Sequence, residues 1–157
     1  MRKYFIVFTI IAVFTILLIM LSLSRNSLSD RVTKYIDKNI SNDNYCTLSM
    51  RDITKFKWDK MLIYQVGSSK KAISDKLGVE FQDSVDLMSG MVFVYNNKIV
   101  YKESIPYNPE KPSKLIIHVG DLFGELNNLV LVPDTAVFKC IKFEKDGKDY
   151  YEIMPLK

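Results

Sequence analysis

The feature that most constrains this chain is an uninterrupted apolar run close to its N-terminus. Residues 5–23 carry no charged side chain, and only three of these nineteen residues are polar. A helix of that length spans about 28 Å at 1.5 Å per residue, which is close to the hydrocarbon thickness of a bilayer. Arg2 and Lys3 precede the run, as an export signal or a signal anchor requires. The sequence therefore predicts that the following residues are delivered to a membrane.

The length of the run favours an uncleaved anchor. A cleaved signal usually has an apolar core of roughly 7–15 residues, so we expect a single-pass transmembrane helix over residues 1–24. Ser22-Leu23-Ser24 has the small-x-small form of a cleavage site, and removal of the segment stays open. Basic residues flank both ends of the run, so the positive-inside rule does not decide the orientation. The short basic head has the layout of an export signal, which predicts a C-terminal domain outside the cytoplasm.

The rest of the chain is predicted to hold a stalk and one domain. Leu28, Val32 and Ile36 lie on one face of a predicted helix, which the polar residues 41–44 interrupt. We therefore expect a stalk helix and linker over residues 25–44 and an extracytoplasmic domain over residues 45–157. All 18 acidic residues and 20 of the 22 lysines and arginines follow residue 24. This near-neutral balance argues against nucleic-acid binding, which needs a clustered basic face.

Local signals predict that this domain is α+β. Residues 61–66 form an apolar run with high β propensity, and a helix that ends at Gly78 follows it. Asn96-Asn97 and Asp146-Gly147 each separate two apolar stretches and predict two-residue hairpin turns. The expected fold class is α+β: an N-terminal transmembrane helix, then one mainly antiparallel sheet with one or two packed helices.

No pattern of catalytic residues is evident. His118 is the only histidine, and the residues near it do not have the spacing of a catalytic triad. A zinc site needs three or four ligands, whereas the chain offers one histidine and two distant cysteines. We therefore expect no metal, no cofactor and no assigned catalytic residue. The acids that a hydrolase would require are Asp52, Asp59, Glu80, Asp83 and Asp86.

Cys46 and Cys140 are a candidate disulfide. An even number of cysteines in an exported domain favours pairing, which would close a loop of about ninety residues. Cysteine is also a common buried apolar residue, and Cys140 lies within a predicted strand, so two free core thiols are the alternative. Neither cysteine has a nearby histidine or a C-x-x-C partner, which argues against a catalytic thiol.

Three polar or aromatic residues are candidates for partner contact. Tyr107 and Asn108 lie in a loop that contains several prolines, and Tyr150 lies near the end of the chain. Tyrosine is a frequent anchor in protein interfaces because it combines a large apolar ring with a hydroxyl.

One segment also carries a resemblance. The pattern Phe56-x-Trp58-Asp59-Lys60 precedes a short apolar strand, a helix and the string SGMVFVYNNKIVYKE. Over residues 46–106 this order resembles a family of small bacterial cell-envelope proteins anchored by a transmembrane segment or a lipid. The resemblance implies an envelope location, a strand at F-x-W-D-K and a hairpin downstream, and it supplies no catalytic residues. On physical grounds, we expect Trp58 in the core and Asp59 at a turn, accepting backbone N–H groups.

Two functional hypotheses follow. The first is a membrane-tethered extracytoplasmic protein-interaction module without catalytic activity. It would be an accessory subunit of an envelope complex or an immunity or exclusion factor, and its partner would be another envelope protein. The alternative is a membrane-anchored envelope hydrolase that uses acidic residues or His118.

Overall fold

The computed structural model describes residues 27–40, 44–120 and 127–156. Within these ranges the chain forms three helices and eight strands. Their order is α1 Leu28–Asn39, β1 Tyr45–Ser49, α2 Met50–Ile53, β2 Lys60–Tyr64, α3 Lys70–Leu77, β3 Met88–Tyr95, β4 Lys98–Pro106, β5 Leu115–Ile117, β6 Asn128–Leu131, β7 Val137–Lys145 and β8 Lys148–Pro155. Among the described residues, no helix is long and apolar enough to cross a membrane. The anchor predicted over residues 1–24 lies outside them.

The strands form two four-stranded sheets, where the sequence predicted one. The first sheet has the order β1-β7-β8-β5, and the second has the order β4-β3-β2-β6. Every pairing is antiparallel except that of β5 with β8, which is parallel and places Leu115 opposite Tyr151. The α+β class is thus correct, and the single sheet is corrected to two.

Two apolar clusters hold these layers together. The main core combines one face of each sheet with α1, and its centre includes Phe93, Phe138 and Ile153. The smaller cluster lies on the other face of the second sheet, where Leu62 and Val92 pack against α3. The second sheet is therefore covered on both faces.

Helix α1 belongs to this domain and is not a separate stalk. Leu28, Val32 and Ile36 are fully buried in the main core. They form the apolar stripe that the sequence indicated, but the stripe faces the two sheets. The predicted boundary at residue 45 therefore does not separate α1 from the core, because the described part of the compact structure includes α1.

Several local predictions are confirmed. Helix α3 begins after Ser69, whose hydroxyl accepts the N–H of Ala72 at 3.1 Å, and it ends at Gly78 with a φ of 71°. Asn96 and Asn97 have φ values of 49° and 57°, as a primed hairpin turn requires. The last hairpin turns at Asp146 and Gly147 with φ values of 53° and 70°.

The F-x-W-D-K segment is not a strand. Residues 54–59 have no regular structure, and β2 begins only at Lys60. Phe56 and Trp58 instead pack edge-on against Phe93, each with ring centroids 5.3 Å apart. Trp58 lies in the main core, and Asp59 accepts the N–H of Asn96 at 2.8 Å. Both physical expectations for Trp58 and Asp59 are confirmed. The spacing of Phe56 and Trp58 places both side chains against the main core.

Candidate functional site

An exposed apolar residue in an unusual backbone conformation marks one end of the second sheet. Leu87 precedes β3, has a φ of 51° and is 64% exposed. A left-handed backbone costs a branched residue about 1 kcal/mol or more. The turn from Val85 to Met88 imposes this conformation, because the Met88 N–H donates to the Val85 carbonyl at 3.1 Å. The hydrogen-bonded turn therefore holds the backbone of Leu87 in place while its side chain is exposed to solvent.

Tyr107 lies directly beside Leu87. Its N–H donates to the Leu87 carbonyl at 2.8 Å, which extends the pairing of β3 and β4 by one residue. Tyr107 is 53% exposed, so two large apolar residues meet solvent side by side, one just before β3 and the other just after β4. We call Leu87, Tyr107 and Asn108 the Leu87–Tyr107 surface.

The loop that carries Tyr107 is closed by its own hydrogen bonds. The Asn108 side-chain oxygen accepts the N–H groups of Glu110 at 2.9 Å and Lys111 at 3.1 Å. The Ser113 hydroxyl donates to the Pro106 carbonyl at 2.6 Å. These bonds and the prolines restrict the conformations that the loop can adopt.

The clefts near the predicted residues are either small or lined in part by side chains that bond to other residues. The cleft beside Tyr107 has a volume of about 60 Å³, well below the roughly 300 Å³ of a small-molecule pocket. A cleft of about 330 Å³ lies beside Trp58, and several of its polar groups already bond to other residues. The Trp58 indole donates to Thr54 at 2.9 Å, and Arg51 forms an ion pair with Asp134.

Three of the five acids proposed for hydrolysis serve separate structural contacts. Asp83 pairs with Lys102 at 2.6 Å, and Glu80 accepts from the Gln82 amide at 3.0 Å. Asp59 closes the β3–β4 turn through its bond to Asn96. Within the described ranges, no group of three or more histidines, cysteines or acids is placed to hold a metal ion.

His118 lies at the end of β5, beside one acid. Its backbone N–H donates to the Ile153 carbonyl at 2.9 Å, and its Nε2 is 3.6 Å from a Glu152 carboxylate oxygen. None of the hydrogen bonds between described residues joins the ring to a serine, threonine or cysteine hydroxyl or thiol. Among the described residues, the His118 ring is therefore not joined to the nucleophile that a catalytic pair needs.

Tyr150 is part of the final hairpin and not of the Leu87–Tyr107 surface. It lies opposite Phe143 across β7 and β8, and the two rings stack with centroids 5.7 Å apart. No ring contact or hydrogen bond between described residues joins Tyr150 to Tyr107. Its role in partner contact stays a prediction.

The two cysteines, by contrast, come together. Cys46 on β1 lies directly opposite Cys140 on β7, and both are buried free thiols. They face the main core. No sequence signal could place them in register, because β1 itself was not predicted.

Leu87 is the one residue of the surface that sequence reasoning missed. Its neighbours Val85 and Met88 are also apolar, so nothing in the sequence distinguishes the residue that remains outside. Only the positive φ and the pairing with Tyr107 identify it. No family model, curated protein or solved structure matches this chain.

Proposed function

We propose that this protein is a membrane-tethered extracytoplasmic protein-interaction module. The observation that carries the proposal is the Leu87–Tyr107 surface, where two large apolar side chains are held in solvent by fixed backbone. Exposed apolar groups in a rigid frame are typical of interaction sites. The partner would be another envelope protein with an apolar contact surface, and the module would have no catalytic activity.

The membrane tether follows from the sequence. The apolar run ends at Leu23, and α1 begins after its capping residue, Ser27. Residues 24–26 separate Leu23 from Ser27, and an extended chain reaches about 3.5 Å per residue. A bilayer anchor over residues 5–23 would hold the folded domain within about 15 Å of the membrane surface. Such a position restricts the partner to proteins in or near the same membrane.

The hydrolase alternative receives no comparable support. Three of the candidate acids serve separate structural contacts, and the one ion pair of His118 among the described residues is with Glu152. We therefore retain the interaction module as the proposed function.

Photo-crosslinking in intact cells tests the proposal. A photoreactive phenylalanine analogue replaces Tyr107 in one variant, Leu87 in a second and Val132 in a third. Val132 is the matched control because it is also an exposed apolar residue, at 45% exposure, but lies after β6. We expect one discrete envelope protein to crosslink at positions 87 and 107 and not at position 132.

A loss-of-contact variant then quantifies the surface. Tyr107→Ala should lower recovery of that partner about tenfold, which is the loss typical of one interface anchor. The same crosslinks at all three positions would contradict the proposal. So would recovery of the full-length chain from the cytosol.

A further inference from the structure

The register of β1 places the two cysteines at a paired position. The Lys142 N–H donates to the Asn44 carbonyl at 3.4 Å, and the Met50 N–H donates to the Ala136 carbonyl at 2.9 Å. Hydrogen-bonded pairs recur every second residue in an antiparallel ladder. The pair Cys46–Cys140 lies two residues from the bonded pair Asn44–Lys142 and four residues from the bonded pair Met50–Ala136. They are therefore a hydrogen-bonded pair, for which the Cα–Cα distance is about 5.5 Å.

This distance suits a covalent bridge. Disulfides join Cα atoms that are roughly 4.4–6.8 Å apart. Both side chains belong to the main core and project from directly opposed positions of β1 and β7. Because β1 is the edge strand of its sheet, it can move inward by the small amount that bond formation requires.

We infer that Cys46 and Cys140 form an intramolecular disulfide when the chain folds in the presence of an external disulfide. The bridge joins the first strand of the first sheet to β7, and it encloses the whole second sheet within one covalent loop. The inference stands independently of the proposed partner and of the location of the domain.

The chemistry is ordinary thiol–disulfide exchange. One cysteine thiolate attacks the external disulfide, which forms a mixed disulfide and releases one external thiol. The second cysteine thiolate attacks the protein sulfur of that intermediate, which forms the S–S bond and releases the second external thiol. The two protein thiols lose two electrons and two protons, and the external disulfide takes up both.

The folded environment makes the bridge structural and not exchangeable. Burial raises the pKa of Cys46, and burial and the neighbouring Cys46 raise the pKa of Cys140. A raised pKa lowers the thiolate fraction, and burial excludes the external disulfide. The bond must therefore form while β1 is still mobile, and afterwards it resists reduction.

Refolding of the full chain in detergent with mixed oxidised and reduced glutathione tests the inference. We expect a product lighter than the reduced chain by two hydrogen atoms, with one proteolytic fragment pair linked through Cys46 and Cys140. Thiol alkylation in denaturant should label neither cysteine until a reductant is added. The oxidised chain should melt on the order of 10 °C above the reduced chain.

Cys46→Ala provides the matched control. This variant cannot form the bridge, so glutathione should not shift its melting temperature even if the substitution lowers that temperature. If this variant fails to fold, Cys140→Ala provides the same comparison. A wild-type chain that refolds with both thiols open to alkylation, or that retains glutathione on either cysteine, would overturn the inference.

Discussion

Gly90 shows how a single residue can control the second sheet. It lies in β3 between Tyr64 of β2 and Ser104 of β4. A Cβ atom at Gly90 would lie 2.7 Å from the Tyr64 ring and would clash with the carbonyl oxygen of Glu103. Tyr64 cannot easily move away, because it is fully buried and its hydroxyl bonds to Ser104 Oγ at 2.8 Å.

Gly90→Ala should therefore lower the free energy of unfolding by about 3 kcal/mol, the upper part of the range for overpacking. Gly120→Ala is the matched control, because a Cβ there would have no atom of the described residues within 4 Å. Urea unfolding followed by the fluorescence of Trp58, the only tryptophan, measures both changes. Equal stabilities for the two variants would mean that β3 does not pass this close to β4.

Sequence reasoning reaches some residues of the fold and not others, for a physical reason. Asn96, Asn97 and Gly147 determine turns through their own backbone preferences, so the sequence alone is enough to predict them. Gly90 and Leu87 are determined by neighbours that are distant along the chain. Nothing local distinguishes Gly90 from a tolerated strand glycine or Leu87 from a core leucine.

Helix α1 shows the same limit at the scale of an element. Its stripe of Leu28, Val32 and Ile36 predicts an amphipathic helix but not the surface that it covers. Contacts at both ends of α1 determine which surface of the sheets the helix covers. At the first turn, the Glu103 carboxylate accepts the Leu28 N–H at 2.9 Å, and the Tyr101 hydroxyl accepts from the same N–H at 2.9 Å.

The last turn of α1 is attached to the other sheet. The Tyr151 hydroxyl donates to the Asp37 carboxylate at 2.7 Å, and Lys142 Nζ lies 2.8 Å from the same oxygen. Burial raises the pKa of Asp37, but the hydrogen bonds from Lys142 and Tyr151 outweigh that effect and the net pKa is lowered. The Tyr101 hydroxyl therefore joins the first turn of α1 to the second sheet, and the Tyr151 hydroxyl joins the last turn to the first sheet.

Alkaline pH should release α1 at both ends. Burial, with a hydrogen bond to a carboxylate, raises the pKa of Tyr101 and of Tyr151 to about 12 from a usual value of 10. Between those values the unfolded chain binds fewer protons than the folded chain, so the free energy of unfolding falls as pH rises. This stabilisation is fully present below pH 10 and is lost as pH rises through about 12.

The double variant Tyr101→Phe, Tyr151→Phe isolates this effect. Its free energy of unfolding should be lower at neutral pH and should fall less steeply between pH 10 and about 12. Urea unfolding across that pH range gives the two slopes. Parallel curves would show that the two hydroxyls do not titrate with folding.

The whole molecule differs from its predicted form because strand pairing joins segments far apart in sequence. β1 pairs with β7, and β5 runs parallel to β8, so the first sheet is assembled from both ends of the chain. Turn signals in the sequence predict pairing only between strands that follow each other along the chain, such as β3 with β4 and β7 with β8. The α+β class and two hairpins were therefore accessible from the sequence, whereas the second sheet was not.

Truncation distinguishes a stalk from a core helix. Removal of α1 takes three fully buried side chains from the main core, and each contributes about 1.5–3 kcal/mol of burial. The combined loss, roughly 4–9 kcal/mol, is comparable with the whole stability of an ordinary domain. A chain of residues 25–157 should therefore unfold cooperatively on heating, and a chain of residues 45–157 should not.

Circular dichroism and hydrogen exchange measure the outcome of this truncation. Lys34→Ala in the longer chain is the control, because Lys34 is an exposed residue of the same helix. It should leave the melting temperature within about 2 °C, since surface substitutions rarely change stability by more than about 0.5 kcal/mol. A cooperative melt of the shorter chain would make α1 a stalk, because the two sheets would then close their core without it.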